Sequence, residues 1–340
     1  MKRIINLLLI LCLILTFASC KKSKDIISDI SSAAPSVVSS QTLTSSEEKE
    51  ETSSQPEVSS STPVVSAPAP TVSSSSQVTS SYELKNYDIT VGEYTVIDAE
   101  NARGLSNEKS GFGFGVAKNG VAHSISFGNQ ARFDAMPNVE ALALDTKNQD
   151  KRMYLTFDCG YEYKNLTANI LDTLKEKNVK AAFFVTLDYL QKNPQFVQRM
   201  IDEGHIVGNH SATHPVFPDI SRTKMAEELY RVDEYLQKHF NYKTTYFRFP
   251  TGANSENSLE LVTSVGYKSI FWSLAYGDYD TSNQMGYDKA YKTVTDRFHS
   301  GAVILLHAIS QDNADILGAV IDTAHSQGYT FKTLDDYYTQ

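Results

Sequence analysis

Residues 152–186 read RMYLTFDCGYEYKNLTANILDTLKEKNVKAAFFVT. RMYLTF (152–157) is a short apolar run of the length of a buried strand. NLTANILDTLKEKN (165–178) has the apolar spacing of an amphipathic helix, and KAAFFVT (180–186) is a second buried strand. The rhythm continues outward from there. NPQFVQRMIDEG (193–204) reads as a helix, HIVGNH (205–210) as a strand, and TKMAEELYRVDEYLQKHF (223–240) as a helix. TTYFRFP (244–250), YKSIFWS (267–273) and AVILLH (302–307) are further strand runs, with helices around SLELVTSVG (258–266) and ADILGAVIDTAHSQG (314–328). YTFKTL (329–334) closes the pattern. Strand alternating with helix over about 190 residues implies parallel strands with crossover helices. About seven repeats predict an α/β barrel rather than an open sheet, with chemistry at the C-terminal ends of its strands.

N-terminal to the barrel the signals change. Residues 82–149 read as a short extension or cap: YDITVGEYTVI (87–97) alternates like a strand pair. GFGFGVAKNG (111–120) reads as turns, because no strand-to-helix context makes it a phosphate loop. Residues 21–81 hold no aromatic and no glycine, and about one in three is serine. Such a stretch cannot bury enough apolar surface to offset its ordering entropy and reads as a disordered Ser/Thr/Pro-rich linker, about 45 Å in root-mean-square span.

Residues 1–20, MKRIINLLLILCLILTFASC, combine a basic start, an apolar core and small residues before Cys20. This is a secretory signal. The small residues before the cysteine resemble a lipobox, which implies cleavage before Cys20 and anchoring to a membrane through its lipid. The expected location is extracytoplasmic, at the bacterial cell membrane and facing the wall. Cys159 then remains as a lone thiol in an oxidising compartment. The net charge of −9 argues against nucleic acid as a partner, and nothing indicates a protein partner.

The barrel rule orders the polar residues. Asp158 and Cys159 follow YLTF, His210 and His214 follow HIVGN, Arg248 ends YFR, Asp278 follows FWSLAYG, and His307 ends AVILLH. Two imidazoles four residues apart share a face if they lie on a helical turn, and with the Cys159 thiolate they make a zinc set with one open position. A water activated by a divalent metal needs a base and the leaving group needs an acid. Asp158 is the candidate base, held ionised by Arg248. His307 is the candidate acid, oriented by Asp278. His123, His205, His239, His299 and His325 have no such grouping and are expected to be structural or on the surface.

TFDCGYE (156–162), HSATHP (210–215), RFPTG (248–252), WSLAYGDY (272–279) and LLH (305–307) are similar, in order and spacing, to the five motifs of polysaccharide deacetylases, carbohydrate esterase family 4. The resemblance covers about residues 150–338. It implies a distorted (β/α)7-type barrel as the catalytic domain at 150–340. It also implies a divalent metal, usually zinc, and hydrolysis of N-acetyl groups on amino-sugar polymers. By motif, Asp158 resembles the base, His210 and His214 the metal ligands, Arg248 the partner of the base, Asp278 the residue that tunes the acid, and His307 the acid. Cys159 stands where the family usually has a metal-binding Asp. Backbone N–H near Tyr161 would share the oxyanion charge. Within the family, TFDCGYE, HIVGNH, FWSLA and HAISQDNADIL resemble the peptidoglycan N-acetylmuramic acid deacetylases, including those that form muramic δ-lactam. These tend to carry Asn at Cys159, Arg at Gln311 and Trp at Tyr279. The expected substrate is a peptidoglycan glycan strand. The alternatives are deacetylation of N-acetylglucosamine or acetylated xylan, or a catalytically weak wall-binding lipoprotein.

Overall fold

A computed structural model describes residues 87–148 and 150–339. The expected signal segment, lipidated Cys20 and linker lie outside these residues. The described chain begins with an antiparallel hairpin of β1 (Ile89–Val91) and β2 (Tyr94–Val96), followed by α1 (Ser124–Asp134) and β3 (Ala141–Leu142). The repeating part opens with β4 (Arg152–Cys159), α2 (Leu166–Glu176), β5 (Ala182–Val185), α3 (Leu187–Lys192), α4 (Pro194–Asp202) and β6 (Ile206–Asn209). It continues through α5 (Arg222–Phe240), β7 (Tyr246–Phe247), α6 (Glu256–Ser264) and β8 (Lys268–Ile270). It ends with α7 (Tyr287–Thr295), β9 (Ala302–His307), α8 (Gln311–Ser326), β10 (Thr330–Lys332) and α9 (Leu334–Tyr338).

Neighbouring strands of the main sheet run in the order β10–β4–β5–β6–β7–β8–β3, with β9 also paired to β4, and every pair is parallel. The sheet curls into a half-barrel. Its far ends meet through single bridges, Leu144 to Ala302 and Leu274 to Ile304. This is the distorted α/β barrel that the alternation of strand and helix predicts.

The period of two along β4 sets the two sides of the wall. Met153, Leu155, Phe157 and Cys159 lie in the core beneath the outer helices, with Ile170 and Leu174 of α2 and Ile316 and Val320 of α8. Tyr154 instead packs with Phe184, Ile270 and Val303 in a smaller cluster, together with Leu334 and Tyr337 of α9. Thr156 and Asp158 share its parity. Helix starts are tied to strand ends near the functional region. The Thr186 hydroxyl accepts from Tyr189 N (3.2 Å) at the start of α3, and the Ser310 hydroxyl accepts from Asn313 N (3.2 Å) at the start of α8. Each cap satisfies a backbone donor that helix geometry leaves free.

The N-terminal extension wraps the flank formed by α5 and α6. Tyr94 donates a hydrogen bond to Asp233 of α5, and Val96, Ala99 and Phe133 pack with Leu229, Phe247 and Phe271. β3 then adds a strand beside β8, with Leu142 opposite Ile270. Of residues 111–120, expected to form turns, only Asn119 and Gly120 do so, closed by a bridge between Lys118 and Val121, and 111–117 run without regular structure. Sequence periodicity did not reveal α1, β3, α3, α7 or α9. α7 buries only Ala290 and Val294, too few residues for a visible stripe.

Gly301 joins the extension to the barrel just before β9. Its φ is +76°, its N–H donates to Arg152 O (2.7 Å), and its carbonyl accepts from Asp145 N (2.9 Å). A Cβ there would lie 2.1 Å from the Asp145 carbonyl oxygen, a backbone atom that cannot swing away. Gly301→Ala is expected to lower unfolding free energy by roughly 2–4 kcal/mol, from left-handed strain plus overpacking. Urea denaturation checks this; a loss below about 0.5 kcal/mol would mean the 145–301 contact is not tight in solution.

Candidate active site

The C-terminal ends of the strands open into a cleft of about 1020 Å³, with Asp158, His210, His214 and His307 in its lining and Trp272 and Tyr279 in its walls. Register brings the first pair together: Asp158 on β4 is directly opposite His307 on β9. Arg248, one residue past β7, reaches across beneath them and is fully buried. Its Nη1 donates to Asp158 Oδ1 (2.9 Å), Nη2 to Thr156 Oγ1 (2.8 Å) and Phe271 O (3.2 Å), and Nε to Ile270 O (3.0 Å). The guanidinium also lies over the Phe184 ring, 4.2 Å from its centroid. A buried cation with this many partners is held in one geometry.

Burial by itself would raise the Asp158 pKa. The Arg248 charge, with His210 and His307, outweighs burial and leaves it below the usual carboxylate range. For His307, burial opposes the charged form, but Asp278 wins and the imidazole pKa is raised. Asp278 is buried and accepts from His307 twice, at Nδ1 (2.8 Å) and at the backbone N–H (2.7 Å). Asn313 donates from Nδ2 to Asp278 Oδ2 (2.5 Å) and to His307 O (3.1 Å), fixing the pair from α8. The cleft thus holds one carboxylate favoured as the anion by Arg248 and one imidazole favoured as the cation by Asp278, on adjacent strands.

His210 and His214 meet edge to face with ring centroids 4.9 Å apart, and His210 Nε2 lies 3.6 Å from Asp158 Oδ2. The helical turn expected for them is absent. Residues 210–214 form an irregular loop with left-handed φ at Ser211 (68°) and His214 (60°). Asn209 Oδ1 accepts from Ser211 N (2.8 Å), and Ser211 Oγ accepts from His214 N (3.0 Å). Glu228 of α5, wholly buried, accepts from Thr213 at both N (2.6 Å) and Oγ1 (2.9 Å). Burial pushes the His210 pKa down to about 4 and lowers that of His214, so both rings are neutral at pH 7. His210 Nδ1 is 2.8 Å from Arg248 O, which makes it the protonated nitrogen and leaves the Nε2 lone pair free. Two neutral imidazoles beside a carboxylate are a donor set that fits a divalent metal. Among the described residues, no group of three His, Cys, Asp or Glu is closed into a metal site.

Cys159 is not brought to this group. It follows Asp158 on a strand, so its side chain takes the opposite side of the sheet and is wholly buried in the core beneath the helices. Burial, then the charges of Asp158 and Glu162, push its thiol pKa well up, which disfavours a metal-binding thiolate. The other six residues singled out from the sequence line or support one cleft. The reading missed Glu228, Asn209, Thr156 and Asn313. These polar residues were hidden among helix and strand positions, with no signal beyond their type.

A curled parallel sheet with an acid–base pair at its strand ends is the layout of an α/β-barrel enzyme. Comparison with known proteins agrees. Residues 145–270 match the family described as polysaccharide deacetylase. The chain is 37% identical over 239 residues to the peptidoglycan-N-acetylmuramic acid deacetylase PdaA of Bacillus subtilis, covering 70% of this chain and 89% of that protein. The solved structure of Bacillus subtilis PdaA, a family 4 carbohydrate esterase, aligns with a TM-score of 0.63 at 36% identity, over 69% of this chain and 100% of that one. The peptidoglycan-N-acetylglucosamine deacetylase PgdA of Listeria monocytogenes is 34% identical over 190 residues, which cover 56% of this chain and 39% of that protein. The chain belongs to the polysaccharide deacetylase family, carbohydrate esterase family 4.

Arg248→Ala is expected to cost about 3–5 kcal/mol of stability, because it strands a buried carboxylate and two carbonyls. Asp158→Asn, which still offers an oxygen to Arg248, should lose less. Paired urea melts check the order, and equal losses would show that the ion pair does not organise the cleft.

Proposed function

We propose that this chain hydrolyses the N-acetyl group of N-acetylmuramic acid in peptidoglycan, releasing acetate. The observation that carries the chemistry is the paired set in one cleft, Asp158 with Arg248 and His307 with Asp278. Muramic acid as substrate is supported by the likeness to PdaA over most of both chains. N-acetylglucosamine is the second reading, supported by the likeness to PgdA over a shorter span.

In this reading Asp158 accepts the proton of the attacking water, because Arg248 keeps it ionised. The water oxygen bonds to the acetamido carbonyl carbon. His307 carries its proton on the nitrogen facing the cleft, because Asp278 holds Nδ1. It delivers that proton to the sugar nitrogen as the C–N bond breaks, and acetate and a free amine leave. His210 and His214 would hold a divalent metal, zinc by their donor type, which supplies Lewis-acid stabilisation of negative charge at the carbonyl oxygen. Asn209 and Glu228 hold the histidine loop in place. Cys159 is assigned no ligand role here, and Cys159→Ala should leave metal content unchanged.

In this reading residues 150–340 are the catalytic domain and 82–149 its N-terminal extension or cap. Residues 1–20 with lipidated Cys20 and the 21–81 linker would tether it outside the cell membrane, within reach of the wall.

The test incubates the full chain, with zinc or with chelator, on peptidoglycan strands and on chitin oligomers, followed by mass spectrometry of the released sugars. Zinc-dependent acetyl loss from the muramic residue is expected. Loss from glucosamine alone would replace this reading with the second. Asp158→Asn should lower kcat/KM by about 10²–10⁴-fold. The alkaline limb of the pH–rate profile should report His307. Asp278→Asn removes the charge that favours imidazolium, so that limb should move to lower pH. An unmoved limb would remove His307 from the role of acid.

A further inference from the structure

The glycine-spaced run GFGFG (111–115) has no part in the proposed reaction, yet it reaches the cleft. Phe114 belongs to the cleft lining and lies beside Trp272, with ring centroids 6.5 Å apart. Among the described residues it is the one lining residue that the N-terminal extension supplies. It also lies outside the 145–270 segment that matches the polysaccharide deacetylase family.

The run is irregular but firmly held. Ser110 exchanges two backbone hydrogen bonds with Asn254 (2.8 and 3.0 Å), just before the first glycine. From α1, Asn129 Nδ2 donates to Gly113 O (2.7 Å) and Ser126 Oγ to Phe114 O (2.5 Å). Phe112 is the anchor, stacked on Phe271 at 4.5 Å and set edge-on to Trp272 at 5.0 Å. Gly252 of RFPTG leaves the space for this packing: a Cβ there would come within 2.8 Å of both Phe112 and Trp272. Phe114, two residues on, is therefore presented from a fixed backbone. A wall ordered before its ligand arrives loses little further freedom on binding.

Around the barrel mouth, the Asp158–His307 pair on β4 and β9 lies between Thr186, after β5, and Trp272, after β8. Phe114 thus joins the lining to one side of the reacting pair. The cleft, about 1020 Å³, has more room than one amino sugar fills. A pyranose ring turns C–H groups to its faces and hydroxyls to its rim. An aromatic ring can take such a face out of water and leave the rim hydrated. We infer that Phe114 is a specificity-determining residue that packs against the sugar next to the reacting one. Through it the extension makes the enzyme select glycan chains over short sugar units. The inference deepens the proposed reaction and rests on the cleft holding an amino-sugar strand.

Trp272 is the single tryptophan of the chain, so its fluorescence reports on this wall without a label. The experiment titrates the full chain with a disaccharide and a hexasaccharide of peptide-free peptidoglycan strand, and with the matching chitin oligomers. Acetyl release from each is followed in parallel for kcat and KM. In the strand or the chitin series, the hexasaccharide is expected to bind about tenfold more tightly than the disaccharide. Phe114→Ala should cut that advantage to about twofold, mainly through KM, and Phe114→Tyr, which keeps the ring, should restore most of it. Thermal melts separate a folding defect from a lost contact. Phe114→Leu, apolar but without a ring, serves in place of Phe114→Ala if that variant unfolds. Equal binding of the two lengths to the unaltered chain overturns the inference. So does a length advantage that survives the loss of the ring, or a loss that falls equally on both lengths. A ring-dependent length advantage without acetyl release from muramic acid defeats the proposed reaction and leaves the role of Phe114 standing.

Discussion

The cleft depends on one buried cation. Arg248 lies beneath the strand ends with its guanidinium tied to Asp158, Thr156, Ile270 and Phe271, and it is also covered by Phe184. Removing such a charge from water is costly, and the geometry offsets that cost because the donors engaged in these bonds all have an acceptor in place. The same bonds join β4 and the residue after β7 to the end of β8 and the residue after it, so the group that tunes the carboxylate also fixes where the strands end. Gly208 contributes from below: a Cβ there would come within 2.5 Å of the Phe184 ring, displacing the surface on which Arg248 rests.

Two carboxylates in this cleft have opposite tasks because of their neighbours. Asp158 faces a permanent cation and stays a bare carboxylate. Asp278 faces an imidazole and an amide, and its charge raises the pKa of His307. This separation of roles is how one site offers a base and an acid at the same pH. The histidine pair is a third environment, in which burial keeps the rings neutral and therefore able to donate lone pairs. Each state follows from burial weighed against the nearest charge.

The supporting residues show how the loop bearing His214 is kept out of regular structure. Four-residue spacing on a helix would also have juxtaposed two imidazoles, but the chain instead takes left-handed turns at Ser211 and His214. Such backbone is tolerated where side chains replace the lost backbone partners. Glu228 and Asn209 do so here, with α5 supplying the buried acid. The helix that borders this loop also receives Tyr94 of the extension, so the N-terminal wrap and the histidine loop share one support.

Much of this protein was legible in one dimension because its signals are local. Apolar runs of strand length alternating with amphipathic helices specify a parallel sheet, and a strand-end rule then gathers Asp158, His210, Arg248, Asp278 and His307 without coordinates. What adjacency in sequence could not decide was the direction of a side chain. Asp158 and Cys159 are neighbours in the chain, yet the pleat of β4 sends one to the cleft and the other into the core with Phe157 and Ile170. Nor could it pair residues far apart, such as Thr213 with Glu228 or His307 with Asn313, since polar residues on helices carry no mark of their partner. Periodicity along the chain determined the barrel and the strands that deliver its chemistry. Only the folded packing decided which face each residue meets and which charge lies beside it, because both are set by contacts across the sheet rather than along it.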